Sequence, residues 1–177
     1  ITLTKEMEEE LERKEGLYTT ISYNDITDKT NYKNLLDVLT QELKKVIEET
    51  GIKDDYSCMI IGLGNEKSTA DELGVTTAKK VTVTKHIYDL VGTLEEHFRV
   101  TTCLTPGVMG QTGIETVEII SSVVKQVKPD FIIAIDALAS DSIDRLLKTI
   151  QITNTGINPG SGIGNNRKEI TMNTKGF

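Results

Sequence analysis

Basic residues are scarce in this sequence. Lys and Arg number 20 against 27 Asp and Glu, leaving a formal net charge of -7. Phosphate binding needs clustered cations, so this balance argues against a nucleic-acid or membrane footprint. Cysteine is nearly absent as well: Cys58 and Cys103 stand alone in the apolar contexts YSCMII and VTTCLT. Two such residues without a short-range spacing give neither a zinc signature nor a disulfide framework. They read as buried free thiols of a reducing compartment. No stretch approaches the roughly 18–20 apolar residues that span a bilayer, and no signal-peptide pattern is present. The expectation is a cytoplasmic protein. Because residue 1 is Ile and not Met, the missing targeting segment carries little weight.

Several catalytic signatures are missing too. No G-x-S-x-G nucleophile elbow follows a strand, and Ser161, although flanked by glycines, lies in the wrong context. Cys103 has neither a histidine partner nor the positive surroundings that activate a thiol. The run Gly160-Ser161-Gly162-Ile163-Gly164 lacks the Lys-Ser/Thr of a P-loop and the spacing of a dinucleotide fingerprint, so it reads as a substrate loop. His86 and His97 have no i, i+4 partner of a helix-borne metal motif. No metal and no cofactor are expected.

What is present is an ordinary globular composition, 37% hydrophobic and 27% charged over 177 residues. That length suits a single domain, residues 1–177, burying roughly two-thirds of the unfolded chain's surface. Neither an internal repeat nor a linker interrupts it. The Glu-rich segment 1–15 predicts a thin amphipathic helix stopped by Gly16, and LYTTISY (17–23) a strand. Residues 31–50 predict a long helix, with Tyr32, Leu35, Leu36, Leu39, Leu43, Val46 and Ile47 on one face and Gly51 just beyond. CMIIGL (58–63) is a buried strand. Thr69 to Glu72 match a capping box, which predicts a helix opening near residue 70. VTVTKHIYDL (81–90) fits a strand or a strand running into a helix. Then come a strand at 98–104, a helix at 113–127 and the strand FIIAI (131–135). A short helix at 140–148, a strand at 149–153 and a Gly- and Asn-rich loop at 154–168 complete the order. Alternation of helices with strands lacking a polar face predicts an α/β fold with a mainly parallel sheet flanked by helices.

Such sheets gather their functional groups beyond the carboxyl ends of the strands. Two acids arrive there. Asp71 follows CMIIGL by one short loop, and Asp136 follows FIIAI directly. Facing carboxylates cannot both ionise cheaply, so a pair holds one proton and can hydrolyse an amide. The plainer alternative is that Asp71 stabilises a helix N-terminus and Asp136 caps the next segment. Pattern alone leaves both open. Thr105-Pro106-Gly107-Val108-Met109-Gly110 places glycines where a backbone must approach something closely, either a substrate main chain or an ordinary tight connection.

Four longer motifs, GLGNEKSTADELG, CLTPGVMGQTGIETVEII, KPDFIIAIDALAS and IQITNTGINPGSGIGNNRKEIT, resemble the germination proteases of spore-forming bacteria. The resemblance runs from about Met59 to Thr171. It implies an endopeptidase acting on the small acid-soluble proteins that coat spore DNA, with a location in the spore core. It implies a fold similar to that of the hydrogenase-maturation proteases (phosphorylase/hydrolase-like). The two catalytic acids it implies fall on Asp71 and Asp136, with Thr105, Gly107, Gly110, Gly160 and Gly162 as substrate-binding candidates. A zymogen origin and a homo-oligomer, a tetramer among the options, come with it.

The departures are specific. Ala70 stands where the family often has Pro, and Val75 where "L-G-P" is usual. After KEITMNT the family pattern continues into another apolar strand, whereas this sequence stops at Phe177, so a C-terminally shortened member is the expectation. Two alternatives stand beside the peptidase: a non-catalytic homologue binding peptide or a partner subunit, and a metal-dependent maturation-type endopeptidase using His86 or His97.

Overall fold

The computed structural model describes residues 1–11, 13–140 and 142–157. Along the chain the elements are β1 (Thr2–Leu3), α1 (Lys5–Leu11), β2 (Gly16–Ser22), α2 (Lys29–Glu49), β3 (Cys58–Gly62), α3 (Leu73–Ala78), α4 (Lys85–Val91), β4 (Thr101–Leu104), α5 (Met109–Thr112), α6 (Thr116–Val127), β5 (Phe131–Ile135) and β6 (Thr149–Thr153). The described residues form an α/β protein and gather into two compact units. One holds Ile1–Ile52 with Leu138–Gly156, the other Lys53–Ala137 with Ile157.

The first unit is built on an antiparallel sheet ordered β1-β2-β6, with Tyr18 opposite Thr153 and Ser22 opposite Thr149. This departs from the mainly parallel sheet expected, and TIQIT shows why. Its Gln151 is exposed between half-buried Ile150 and Ile152, the alternation of a sheet covered on one face. α2 packs on β2 and β6. Asp28 caps it, its carboxylate accepting from Thr30 N and Asn31 N at 2.9 Å each, and Gly51 leaves it at φ 73°. Of the predicted face, Leu35 and Val46 are buried, but Tyr32 and Leu36 are about half exposed.

Two other expectations fail in this unit. The N-terminal helix is limited to α1, because Thr2–Leu3 pairs with Gly16–Leu17 and the start of the segment becomes strand. The helix predicted at 140–148 is a series of turns. Ser140 Oγ accepts from Ser142 N at 3.3 Å, and Leu147 adopts φ 57°, so the helical run is stopped at both ends.

The second unit carries a parallel sheet ordered β4-β3-β5. β3 is central and buried throughout, in register with Thr101–Leu104 on one side and Phe131–Ile135 on the other. β5 is less enclosed than its sequence predicts: Phe131 is buried and Ile132 to Ile135 are half-buried. Met59, Ile61 and Leu63 pack with Ile120 and Val124 of α6 as the core, and Val117, Val123, Val127 and Ile157 close around them. α6 starts at Thr116, not at residue 113. The separate turn α5 precedes it and ends on Gly113 at φ 72°. The stretch 81–90 contains no strand: residues 81–84 lead into α4 at Lys85, which puts His86 on a helix. No helix among the described residues is long and apolar enough to cross a membrane.

The amino ends of β3 and β5 are tied together. Asp130 accepts from Ser57 N at 2.7 Å and Ser57 Oγ at 2.6 Å, and these bonds hold its carboxyl below the ordinary range. Arg99 reaches the same edge, donating to the carbonyls of Lys53 (2.7 Å) and Tyr56 while its guanidinium lies 5.2 Å from the Phe131 ring centre. With the amino ends fixed, the carboxyl ends are presented in step.

Candidate active site

The order β4-β3-β5 contains a reversal. From β3 the chain crosses to β4, then returns past β3 to form β5. In α/β sheets a reversal of this kind, here between β3 and β5, is where functional groups gather beyond the carboxyl ends of the strands. Asp136 is the first residue after β5. On β3's side, Leu63 N donates to Ile135 O at 2.9 Å, keeping the two strand ends level, and the loop that follows carries Asp71.

That loop is closed by its own backbone. Asn65 N donates to Asp71 O (3.0 Å), Ser68 N to Asn65 O (3.0 Å) and Asp71 N to Ser68 O (2.8 Å). Asn65 Oδ1 accepts from Lys67 N at 2.9 Å, an Asx turn that starts the ring. Gly64 enters it at φ 106°, where a Cβ would lie 2.0 Å from Asp71 O. These bonds close a loop over the stretch where the capping box was expected. Thr69 does not cap a helix; α3 begins at Leu73 with Glu72 in the capping position and no side-chain cap. Asp71 therefore sits in the loop before the helix rather than in its first turn.

α3 approaches the same strand ends very closely. A Cβ on Gly74 would lie 2.2 Å from Ile135 O and 2.4 Å from Leu63 O, and one on Gly62 2.4 Å from Gly74 O. Only paired glycines let the helix rest on both strand ends.

Asp136 is half-buried, and its carboxylate accepts from Ala137 N at 2.9 Å. Burial pushes its pKa upward, the Ala137 N–H opposes this, and the negative charge of Asp71 pushes it further up. Asp136 thus lies within electrostatic reach of Asp71, and its raised pKa favours keeping a proton on its carboxyl.

The third strand contributes its own connection. After β4, Thr105 is exposed, and Gly107 turns at φ 74° with its carbonyl accepting from Thr116 Oγ1 at 3.1 Å. Gly110 lies in α5 with open space around it. One residue here, Gln111, has no signal in the local sequence. Gln111 Nε2 donates to Asn65 Oδ1 at 2.6 Å, joining the loop after β4 to the loop that holds Asp71. Asn65 was legible as turn chemistry, but its long-range partner had no local signal.

Gly160 and Gly162 lie outside the described residues. His86 and His97 are exposed, and no group of three or more His, Cys, Asp or Glu among the described residues is placed to hold a metal ion. Cys58 is buried, which raises its thiol to about 11, and Cys103 is half-buried with Sγ 3.4 Å from Ala78 O. An open cavity of about 510 Å³ lies at the opposite, amino end of the sheet, lined by Ser57, Cys58, Val100 and Pro129 among others.

Comparison with known proteins matches the chain to a family. The family model described as germination protease covers residues 1–177. The chain belongs to the germination protease family. It is 44% identical over 180 residues to the germination protease of Priestia megaterium (strain ATCC 12872 / QMB1551), covering 100% of this chain and 49% of that protein. To the germination protease of Bacillus pumilus (strain SAFR-032) it is 42% identical over 180 residues, covering 100% and 48%. The chain spans about half the length of these curated relatives. The family match thus extends over the segment 17–56, where the four motifs were silent.

Proposed function

We propose that this chain carries the catalytic acids of an endopeptidase of spore germination, with Asp71 and Asp136 as a proton-sharing pair. One observation supports the reading above the others: two acids leave neighbouring parallel strands at the switch point, and the half-buried one senses the charge of the other. In this mechanism protonated Asp136 donates a hydrogen bond to the scissile carbonyl, and ionised Asp71 takes a proton from water. The water oxygen attacks the carbonyl carbon. A proton then passes to the amide nitrogen as the C–N bond breaks, giving a carboxylic acid and an amine. Thr105, Gly107 and Gly110 line the approach for the substrate main chain.

The substrates of this reading are small acid-soluble spore proteins, and the setting is the spore core, with a homo-oligomeric and tetramer-sized assembly. A fold like that of the hydrogenase-maturation proteases belongs to the same reading. The pH dependence follows from Asp136: its pKa is raised, so activity falls as pH rises through that value and the shared proton is lost.

The test is cleavage of a purified small acid-soluble spore protein by the parent, Asp71→Asn and Asp136→Asn. Each variant is expected to lose about 100-fold or more. Cleavage at the parental rate by either one sinks the mechanism. Parental activity is expected to survive a chelator, whereas its loss would favour the metal-dependent alternative.

A further inference from the structure

We propose that Gln111 is a positioning residue for Asp71, acting through Asn65. The inference rests on the Asp71–Asp136 reading and adds a residue outside the two motifs that carry those acids. Asn65 is the joint. Its backbone N–H holds the Asp71 carbonyl at 3.0 Å, and its backbone carbonyl starts the Ser68 contact that in turn holds Asp71 N. Its side chain accepts twice, from Lys67 N at 2.9 Å and from Gln111 Nε2 at 2.6 Å. The first of these bonds is internal to the loop. The second comes from the neighbouring strand's connection, 46 residues away in sequence.

The direction of the bond fixes its meaning. Because Asn65 Oδ1 must accept from Lys67 N to close the Asx turn, Gln111 can join only as a donor. Gln111 is exposed and α5 is a single turn, so general packing does not hold that side chain in place. Its Oε1 faces Gly107 instead, where an added Cβ would stand 3.3 Å away. The loop of Asp71 is thereby tied to the same segment that carries Thr105, Gly107 and Gly110. Without the tie the loop keeps its internal ring and the Glu66–Lys79 ion pair but loses its link to the connection after β4. The Asp71 carboxylate then moves from Asp136 toward water, where its charge is better solvated.

A displacement of this kind costs rate more than affinity, since a misplacement of about 1 Å at a reacting group lowers turnover by up to roughly 100-fold. Gln111→Ala removes the donor, and Gln111→Glu keeps the length while presenting an acceptor to an acceptor. Both are expected to lower kcat on a small acid-soluble spore protein about 10-fold, with KM changed less than about two-fold. The independent readout is the titration of the Asp136 carboxyl carbon followed by NMR in the full chain. Among the described residues the charge acting on Asp136 is that of Asp71, so Asp71→Asn should move the Asp136 midpoint to lower pH. Both Gln111 variants should move it part of the way. A shift in Asp71→Asn with none in either Gln111 variant overturns this inference and leaves the acid pair standing. If Asp71→Asn itself leaves Asp136 unmoved, the pair reading falls and this inference falls with it.

Discussion

Replacing Gly74 by Ala should damage the protein out of proportion to one methyl group. The added Cβ would lie 2.2 Å from Ile135 O, 2.4 Å from Leu63 O and 2.7 Å from Leu63 N. An ordinary C···O contact is about 3.3 Å or more, so α3 must withdraw by about 1 Å or the two strand ends must part. Neither oxygen belongs to a side chain that can rotate away. Overpacking of this sort costs typically about 1–3 kcal/mol, and rigid backbone on both sides puts Gly74 at the upper end. Against it stands the helix-propensity gain of about 1 kcal/mol for Ala over Gly. The net loss is about 2 kcal/mol, which lowers the urea midpoint by about 1 M at a typical m of roughly 2 kcal/mol/M. Gly110→Ala is the matched comparison: the same change, also in a helix, with nothing within 4 Å of the new atom. It should be neutral or stabilising by up to about 1 kcal/mol. Urea unfolding followed by circular dichroism separates the two. If both variants unfold at the same urea concentration, the close approach does not govern the sheet edge and the argument for it is wrong.

Two further outcomes test the same unit. Asp136 has a folded-state pKa raised above the 3.8 of a free carboxyl, so the folded chain holds a proton that the unfolded chain releases, and stability is lost as pH rises through that window. Asp136→Asn removes this loss: its stability relative to the parent should grow from pH 4 upward and then level off, and a pH-independent difference in urea midpoints would count against it. Buried Thr84 accepts from Thr101 N at 2.8 Å and donates to Arg99 O. Thr84→Val should cost about 1–3 kcal/mol by stranding both groups, whereas Thr84→Ser should keep most of the stability. Equal thermal midpoints for the two variants would show that the hydroxyl is not holding the start of β4.

The strands were legible as short apolar runs bounded by turn residues. CMIIGL was read one residue past the end of β3, and FIIAI was bounded to the residue by Pro129-Asp130 before it and Asp136 after it, although only Phe131 in it is buried. Helix ends were harder where side chains had a choice. Thr69 and Glu72 satisfy the spacing of a capping box, yet Asn65, four residues earlier, closes a loop over the same stretch. Local rules score each cap separately and cannot weigh it against a competing turn. The failure at 140–148 has a related origin. Ser140 satisfies Ser142 N locally, and Ile143 and Leu147 stay 88% and 84% exposed, so no buried face rewards a helix there.

The site divides along the same line. An acid following a buried strand can be found in sequence, because the strand is local and the acid is its next residue. Whether two such acids meet depends on strand order, and local pattern carries no information about order. Here the order β4-β3-β5 makes the difference. Had β4 stood between β3 and β5, Asp71 and Asp136 would leave strands roughly 10 Å apart, two spacings of about 4.8 Å. The charge of Asp71 would then barely reach Asp136 through solvent. As neighbours they leave strands one spacing apart, on the side where the chain reverses. The family motifs named the two acids. The proposed pairing depends on a crossover that returns past β3, and that crossover is long-range information held by the packing of Ile120 and Val124 of α6 against Met59, Ile61 and Leu63.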